Sequence, residues 1–311
     1  MDTLVVYSGR KENLVQPIMD QFSAATGIDV MVKYGKTAEI AAMLLEEGHN
    51  SPADVFWAQD PGGLGAVAAA GMLAQLPEEL LERVDSQFRA SSDEWVGISG
   101  RARVIVYNTE SINPEQDLPL DLWGFTDPKW TGRLGWAPTN GSFQAMVTAL
   151  RSVWGERKTR EWLLAIMAND PGVYPKNTPI VAAVASGEIE AGFVNHYYLH
   201  RFIAAEGEGF TARNFFLPGG GPGSLLMTAG VGRLRSAQNV ENALKFIEFL
   251  LSPVAQQYFA GQTYEYPLVE GVKIHRELMP LVELNAAETD LSNLSDLQGT
   301  VDLLTEIGAL E

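Results

Sequence analysis

Short apolar runs alternate with segments of helical periodicity along this chain, and the alternation occurs in two separate sets. Strands that alternate with helices form βαβ units, in which helices cover the faces of a mostly parallel sheet. The sequence therefore predicts an α/β fold. In the first set, the apolar runs are at residues 4–7, 29–32 and 54–57, and the helical patterns are at 14–22, 37–46 and 64–70.

The second set follows an interruption. The pattern stops at Gly100, and an interval rich in proline and tryptophan leads to a new apolar run that starts at Leu134. A later run at 225–231 returns the chain to the first set. We therefore predict two lobes that are joined by extended crossings, with a cleft between them. The predicted lobes are 1–103 plus about 229–279 and 104–228 plus about 280–311.

Composition narrows the class of protein. With 311 residues, of which 46% are hydrophobic, the chain can bury a core in each of two domains. No run of about 18 apolar residues occurs, so we expect no direct membrane insertion. Met1 and Asp2 lead directly into the first apolar run, so the sequence shows no export signal.

Charge and cysteine content exclude further classes. The net charge of −17 argues against nucleic acid as a partner, because phosphates are bound by clusters of lysine and arginine. The absence of cysteine excludes thiolate metal sites and cysteine nucleophiles, and it suits an oxidising compartment.

Two adjacent tyrosines, Tyr197 and Tyr198, follow the apolar stretch at 188–194. Tyrosinates are hard oxygen donors that suit a hard, highly charged cation. Neighbouring strand residues point to opposite faces, so both phenols can reach one ion only where the strand gives way to a turn or helix. The alternative is that both are core tyrosines whose hydroxyls are hydrogen-bonded.

A second candidate site lies where an apolar run meets a helical pattern that starts near Ser142. Unpaired amides at a helix N-terminus, together with hydroxyl and carboxamide groups, form a natural anion site. Asn177 precedes another predicted helix in the same way. The alternative is simple capping of the helix.

Catalytic motifs are lacking. His196 and His200 are the one histidine pair with metal-ligand spacing, and no glutamate follows the first histidine as in zinc hydrolases. The sequence also contains no nucleophile elbow, phosphate-binding P-loop or dinucleotide fingerprint. We therefore expect a binding protein rather than an enzyme.

Seven segments, spread over nearly the whole chain, form a recognisable ordered set. They are Val6-Tyr7-Ser8-Gly9, Ser51-Pro52-Ala53-Asp54-Val55-Phe56-Trp57, Ser99-Gly100-Arg101-Ala102-Arg103-Val104, Pro138-Thr139-Asn140-Gly141, Gly187-Glu188-Ile189-Glu190-Ala191, Asn195-His196-Tyr197-Tyr198 and Tyr264-Glu265-Tyr266-Pro267-Leu268. In these segments the chain resembles the periplasmic ferric-ion-binding proteins, the iron-transport branch of the bacterial extracellular solute-binding proteins. The resemblance implies the two-lobe periplasmic-binding-protein fold of the Venus-flytrap type, with a hinged interlobe cleft.

The resemblance also implies a ligand set. Tyr197 and Tyr198 would coordinate Fe(3+), and a synergistic anion, phosphate or carbonate, would fill the remaining positions. Arg101 is a further anion candidate, because its planar fork suits bidentate recognition of an oxyanion. The residues that would hold the anion by motif are Asn140, Gly141, Ser142, Asn177 and Asn195.

The chain departs from the family pattern at three positions, two of which lie in the predicted first lobe. Many relatives place a histidine where Lys11 stands, a glutamate where Gln59 stands, and some place a tyrosine where Phe143 stands. Glu12 is a tentative oxygen donor, and its alternative is a solvated residue in the first turn of a helix. Arg10, Lys11, Gln59 and Asp60 are further cleft candidates.

The function implied is a periplasmic, monomeric receptor that captures ferric iron and delivers it to an inner-membrane ABC permease. One alternative is a solute-binding protein for a phosphorylated or carboxylated small anion, with a degenerate iron site and with Arg10, Lys11 and Arg101 in the anion pocket. A second is a metal-dependent hydrolase, for which only Glu12, Asp60 and His196 are available, and their spacing resembles no catalytic set.

Overall fold

The computed structural model describes residues 2–219, 221–276, 278–284 and 296–310, and the chain forms two compact units. The first unit is built mainly from residues 2–100 and 227–278, and the second mainly from residues 101–226 and 296–310. The part of the predicted C-terminal lobe at 285–295 lies outside the described residues.

The first unit begins with strand and helix pairs, and each helix buries an apolar face. In α1, the spacing of buried Leu14, Ile18 and Phe22 is that of one helix face. Gly27, with φ of 74°, ends this helix in the left-handed conformation that glycine tolerates. The elements in chain order are β1 (Thr3–Ser8), α1 (Glu12–Thr26), β2 (Asp29–Tyr34), α2 (Thr37–Glu47), β3 (Val55–Ala58), α3 (Pro61–Ala69), β4 (Leu73–Ala74) and α4 (Glu78–Leu81).

A long strand, β5 (Val96–Asn108), carries the chain from the first unit into the second. The elements that follow are α5 (Pro114–Asp117), β6 (Leu134–Trp136), α6 (Gly141–Trp154), α7 (Glu156–Ala168), β7 (Gly172–Val173), α8 (Asn177–Ser186), β8 (Ala191–Asn195), α9 (Tyr197–Glu206) and β9 (Ala212–Phe215).

The chain returns to the first unit through β10 (Leu226–Leu234). The remaining elements of the first unit are α10 (Val240–Leu250), α11 (Pro253–Tyr258), a π-helical turn at Phe259–Thr263 and β11 (Tyr266–Pro267). The last helix, α12 (Leu297–Glu306), belongs to the second unit. No helix of the described ranges is both long and apolar enough to cross a bilayer.

The sheet pairing is mixed within each unit. In the first unit β1 pairs in parallel with β2 and β3, whereas β10 pairs antiparallel with β3. In the second unit β6 pairs in parallel with β7 and β8, whereas β5 pairs antiparallel with β8 and β9. The predicted α/β class is confirmed, but the sheet is less parallel than predicted. The antiparallel pairs involve β5 and β10, the two strands that carry the chain between the units, and antiparallel pairs need no crossover connection.

Aromatic packing fixes the strands that matter for the site. In the second unit, Phe193 on β8 contacts Phe125 and Trp162 edge to face, with ring centroids 5.6 Å and 5.7 Å away. All three rings are almost fully buried. Such contacts add about 0.5–1.5 kcal/mol each beyond the area buried. They hold the strand whose end leads to Asn195 and the tyrosine pair.

Candidate functional site

Tyr197 and Tyr198 occupy the first turn of α9, which begins two residues after β8 ends at Asn195. Their rings stack, with 4.4 Å between the centroids and 28° between the planes. His196, between strand and helix, already has helical backbone angles, so the two side chains that follow are not on opposite faces of a strand. Tyr197 is buried, and Tyr198 is half-buried. The structure thus provides the strand-to-helix change that two phenols need to reach one ion.

The surroundings of this pair act on the pKa of Tyr198 in both directions. Burial raises the pKa of Tyr198, and its charge interaction and hydrogen bond with Tyr197 raise that pKa further. Arg201 and Arg101 lower it. The guanidinium carbon of Arg201 lies 4.9 Å from the centroid of the Tyr197 ring and 5.5 Å from that of Tyr198. Because the net shift is upward, a bound cation must expel the proton from Tyr198.

Arg103 is the centre of a buried polar network that we did not predict from the sequence. Its Nη1 donates to the side-chain oxygens of Asn195 at 3.0 Å, Asn177 at 3.4 Å and Ser142 at 3.5 Å. Its side chain is almost fully buried. Its Nε and Nη2 are buried and have no hydrogen-bond acceptor among the residues that the structure describes. These two groups form one edge of the guanidinium fork, which matches two oxygens of an oxyanion.

The amides around Arg103 also bind one another. Asn177 Nδ2 donates to Asn140 Oδ1 and to Ser142 Oγ, both at 3.1 Å, and Asn177 Oδ1 accepts from the Asn195 amide at 3.1 Å. Asn140 Oδ1 also accepts from the Ser142 amide at 3.1 Å, so the capping interpretation is correct for Asn140. At Gly141, no atom would lie within 4 Å of an added Cβ.

Three helices of the second unit start at this network, because α6 begins at Gly141, α8 at Asn177 and α9 at Tyr197. A helix N-terminus carries about half a positive charge and unpaired amide groups. Burial lowers the pKa of Arg103, the phenols of Tyr197 and Tyr198 raise it, and Arg101 lowers it. A buried cation is costly unless an anion compensates it. The arrangement is therefore suited to bind an anion.

In the first unit the predicted candidates are spread over three local structures. Arg10 Nη2 binds Glu265 Oε1 at 2.7 Å, and both side chains are fully buried. Lys11 and Glu12 are exposed at the start of α1, where the solvated alternative for Glu12 fits. Asp60 caps α3 by accepting from the Gly63 amide at 3.4 Å. The Gln59 amide donates to Thr37 Oγ1 at 3.0 Å.

Conventional metal ligands do not converge. The described ranges contain no group of three or more His, Asp or Glu side chains that could hold a metal ion. Phe143, which stands where some relatives have tyrosine, is buried edge to face against Trp136, with 5.5 Å between the ring centroids. The tyrosine pair therefore remains the principal candidate for metal binding in the second unit.

The sequence contained signals for both arginines that we did not select. Arg103 follows Arg101 by two residues on a strand, and such residues share one face. Arg201 follows Tyr198 by three residues and Tyr197 by four, which is the spacing of neighbours on a helix. The family pattern directed attention to Arg101 alone.

Comparisons with known proteins agree over nearly the whole chain. A family model described as bacterial extracellular solute-binding protein matches residues 17–278. The major ferric iron-binding protein of Neisseria meningitidis serogroup A is 33% identical over 308 residues, which cover 98% of this chain and 92% of that protein. The Fe(3+)-binding periplasmic protein of Serratia marcescens is 32% identical over 311 residues, which cover 99% and 90%. The structure of iron-bound HitA from Pseudomonas aeruginosa matches with a TM-score of 0.92 and 31% identity, covering 99% of this chain and 100% of that one.

Proposed function

The chain belongs to the bacterial extracellular solute-binding proteins, and we propose that it captures ferric iron in the periplasm and delivers it to an inner-membrane ABC permease. The observation that carries this proposal is the stacked pair Tyr197 and Tyr198 beside the buried Arg103. The relatives are named for ferric iron binding and not for catalysis, and the chain is a binding protein rather than an enzyme.

Iron is held by Tyr197 and Tyr198 as phenolates. Each phenol gives up its proton when the ion binds, and the anionic oxygens suit a hard trivalent cation. The ring stack and the hydrogen bond between the two phenols bring their oxygens close to each other. Glu12 is the candidate donor that we propose for the first unit, because its exposed carboxylate can ligate a hard cation, whereas the charged side chains of Arg10 and Lys11 beside it cannot.

A synergistic anion binds at Arg103, with phosphate and carbonate as the candidates that the family resemblance provides. The fork edge formed by Nε and Nη2 receives two of its oxygens, and the amides at the starts of α6 and α8 surround it. Arg101 adds positive charge beside Arg103. The anion residues in this proposal are Arg101, Arg103, Asn140, Gly141, Ser142, Asn177 and Asn195.

The test is an iron titration followed in the visible spectrum. Ferric nitrilotriacetate added to the purified protein is expected to produce a phenolate-to-iron charge-transfer band. Tyr198→Phe keeps the ring and removes one of the two phenolate donors, so we expect a weaker and shifted band from Tyr197 alone and a fall in affinity above the roughly 10- to 100-fold that outer-shell changes cause. Tyr174→Phe is the control, because Tyr174 binds Glu188 instead. Unchanged colour and affinity in Tyr198→Phe would refute the assignment.

The second candidate function is a receptor for a phosphorylated or carboxylated small anion. It is favoured by four guanidinium donors, Nε and Nη2 of Arg103 and Nε and Nη1 of Arg10. All four are buried and have no acceptor in the described part of the chain. A protein that stays colourless with ferric nitrilotriacetate, but melts at higher temperature with a sugar phosphate or a small carboxylate, would establish this alternative.

A further inference from the structure

We infer that His196 is the positioning residue of the tyrosine pair, and that its imidazole takes the place of a backbone carbonyl where β8 becomes α9. This inference rests on the proposed function, since it names the residue that places the two phenols of that site. It is carried by the Ala102 amide, which donates to His196 Nδ1 at 3.0 Å. Both residues are almost fully buried.

The hydrogen bonds of His196 continue the antiparallel ladder of β5 and β8, whose last pair is Arg103 and Asn195. In a hydrogen-bonded pair of such a ladder, each residue donates its amide to the carbonyl of the other. At the next position the His196 amide donates to the Ala102 carbonyl at 3.0 Å, as this pattern requires. The return bond from the Ala102 amide ends on the imidazole instead of a carbonyl. The side chain thus extends the ladder by one residue.

The carbonyl of His196 is turned toward the helix, because the residue already has helical backbone angles, φ of −56° and ψ of −39°. This carbonyl accepts from Asn214 Nδ2 at 2.8 Å, and Asn214 belongs to β9, which also pairs with β5. A buried amide that loses its acceptor is costly, so the Ala102 amide needs another partner. The imidazole supplies it, and the chain can begin a helix without breaking its bond to β5.

The same bond fixes the orientation of the imidazole ring. A backbone amide can only donate, so Nδ1 is the acceptor. The Ala102 carbonyl oxygen lies 3.4 Å from Nδ1, but it already accepts the His196 amide. Held in this way, the imidazole meets the Tyr197 ring edge to face, with 5.7 Å between the centroids and 87° between the planes. Tyr197 in turn stacks on Tyr198, so the positions of both phenols depend on the bond to Ala102.

Two substitutions of His196 distinguish a positioning role from simple packing. In His196→Asn the side-chain oxygen stands two bonds from Cβ, as Nδ1 does, so it can accept from the Ala102 amide, although the side chain is smaller. His196→Leu fills more of the space and offers no acceptor. If His196 only filled space, the leucine variant would resemble the wild type more closely than the asparagine variant. The positioning role predicts the reverse order.

Amide hydrogen exchange of the metal-free protein tests the bond itself. We expect the Ala102 amide to exchange slowly in the wild type and in His196→Asn, and about tenfold or more faster in His196→Leu, because the amide there has lost its acceptor. Melting curves verify that each variant is folded. Equal exchange of the Ala102 amide in the wild type and in His196→Leu overturns the inference, and this result does not depend on what the protein binds.

Titration with ferric nitrilotriacetate tests the effect on the phenols. We expect His196→Leu to shift the phenolate-to-iron band and to bind iron roughly 10- to 100-fold more weakly, whereas His196→Asn restores the wild-type band and most of the affinity. Asn108→Leu is the matched control, because it removes another buried side-chain bond of β5, from Asn108 Nδ2 to Val184 O at 2.7 Å. It should lower the melting temperature and leave the band and the affinity unchanged.

The outcomes separate this inference from the proposed function. A His196→Leu protein with the wild-type band and affinity overturns the inference, and so does a loss in His196→Asn as large as that in His196→Leu. A wild-type protein that stays colourless with ferric nitrilotriacetate refutes the proposed function instead.

Discussion

Arg103 lies directly opposite Asn195 on the paired strands β5 and β8, and its Nη1 donates to Asn195 Oδ1 at 3.0 Å. Residues that face each other across a sheet share one face, so this pairing places the guanidinium beside the end of β8. The tyrosine pair begins two residues after Asn195. One strand register thus brings together the guanidinium that we propose binds the anion and the phenols that we propose bind the metal.

Replacing Arg103 should affect anion-dependent iron binding much more than the stability of the fold. Arg103→Met removes a buried charge and keeps a side chain of similar length, so we expect the free energy of unfolding to change by less than about 2 kcal/mol. Iron binding should lose its dependence on the added anion. The measurements are urea denaturation and iron titration with and without phosphate or citrate. Arg160→Met, which removes an exposed arginine paired with Glu306, should change neither. Anion-dependent binding in Arg103→Met would contradict the assignment.

Acid should weaken iron binding, and the steepness of the pH dependence should reflect the number of phenolate ligands. Burial raises the pKa of Tyr198, so the proton is present before iron binds and is released on binding. Below the pKa values of two phenol ligands, the logarithm of the apparent affinity should rise by about two for each pH unit. With one phenol removed, the slope should fall by about one. The test compares wild type with Tyr198→Phe between about pH 6 and 8, with the same competing chelator. Equal slopes would show that Tyr198 releases no proton to the metal.

Neutralising Glu265 should destabilise the first unit strongly. Glu265 binds Arg10, and its second oxygen accepts a hydrogen bond from Ser99. Glu265→Gln leaves a fully buried guanidinium without its counter-charge, which costs about 3–5 kcal/mol. Urea denaturation measures this loss. Glu161→Gln breaks the exposed pair with Arg157 and should cost less than about 1 kcal/mol. Similar losses in the two variants would contradict the role of burial.

The carboxylate of Asp54 should be required to join β1 to the segment before α10. It accepts from the backbone amides of Val5, Gln238 and Asn239, each at 2.9 Å, and from Asn239 Nδ2 at 3.0 Å. Asp54→Asn replaces one of the two acceptor oxygens by an NH2 group, which then faces N–H donors. We therefore expect the free energy of unfolding, measured by chemical denaturation, to fall by at least about 2 kcal/mol.

Asp121→Asn is the matched control for Asp54→Asn. Asp121 accepts from the Gly124 amide at 3.1 Å at an exposed helix start. Asparagine caps a helix about as well as aspartate does, so stability should hardly change. An equal loss at both positions would mean that amide substitution alone, and not the buried network, is responsible.

The helices and short strands were predictable because their apolar spacing is local. The helix predicted at 14–22 is longer in the structure, Glu12–Thr26, because its exposed end turns carry no apolar spacing. The strand Val96–Asn108 runs through Gly100, where the apolar pattern of the sequence stops. Its buried Ser99, Arg101 and Arg103 are polar, and polar residues do not indicate a buried strand.

By itself, the sequence determined the α/β class, the resemblance to the family and the tyrosine pair at the end of an apolar run, because each is a pattern among near neighbours in the chain. Only the tertiary structure decided the surroundings of that pair. Arg103 meets Asn177 and Asn195, 74 and 92 residues away, and Arg10 meets Glu265 across 255 residues. Such contacts depend on strand register and on the packing of distant segments, and a local pattern carries no information about either.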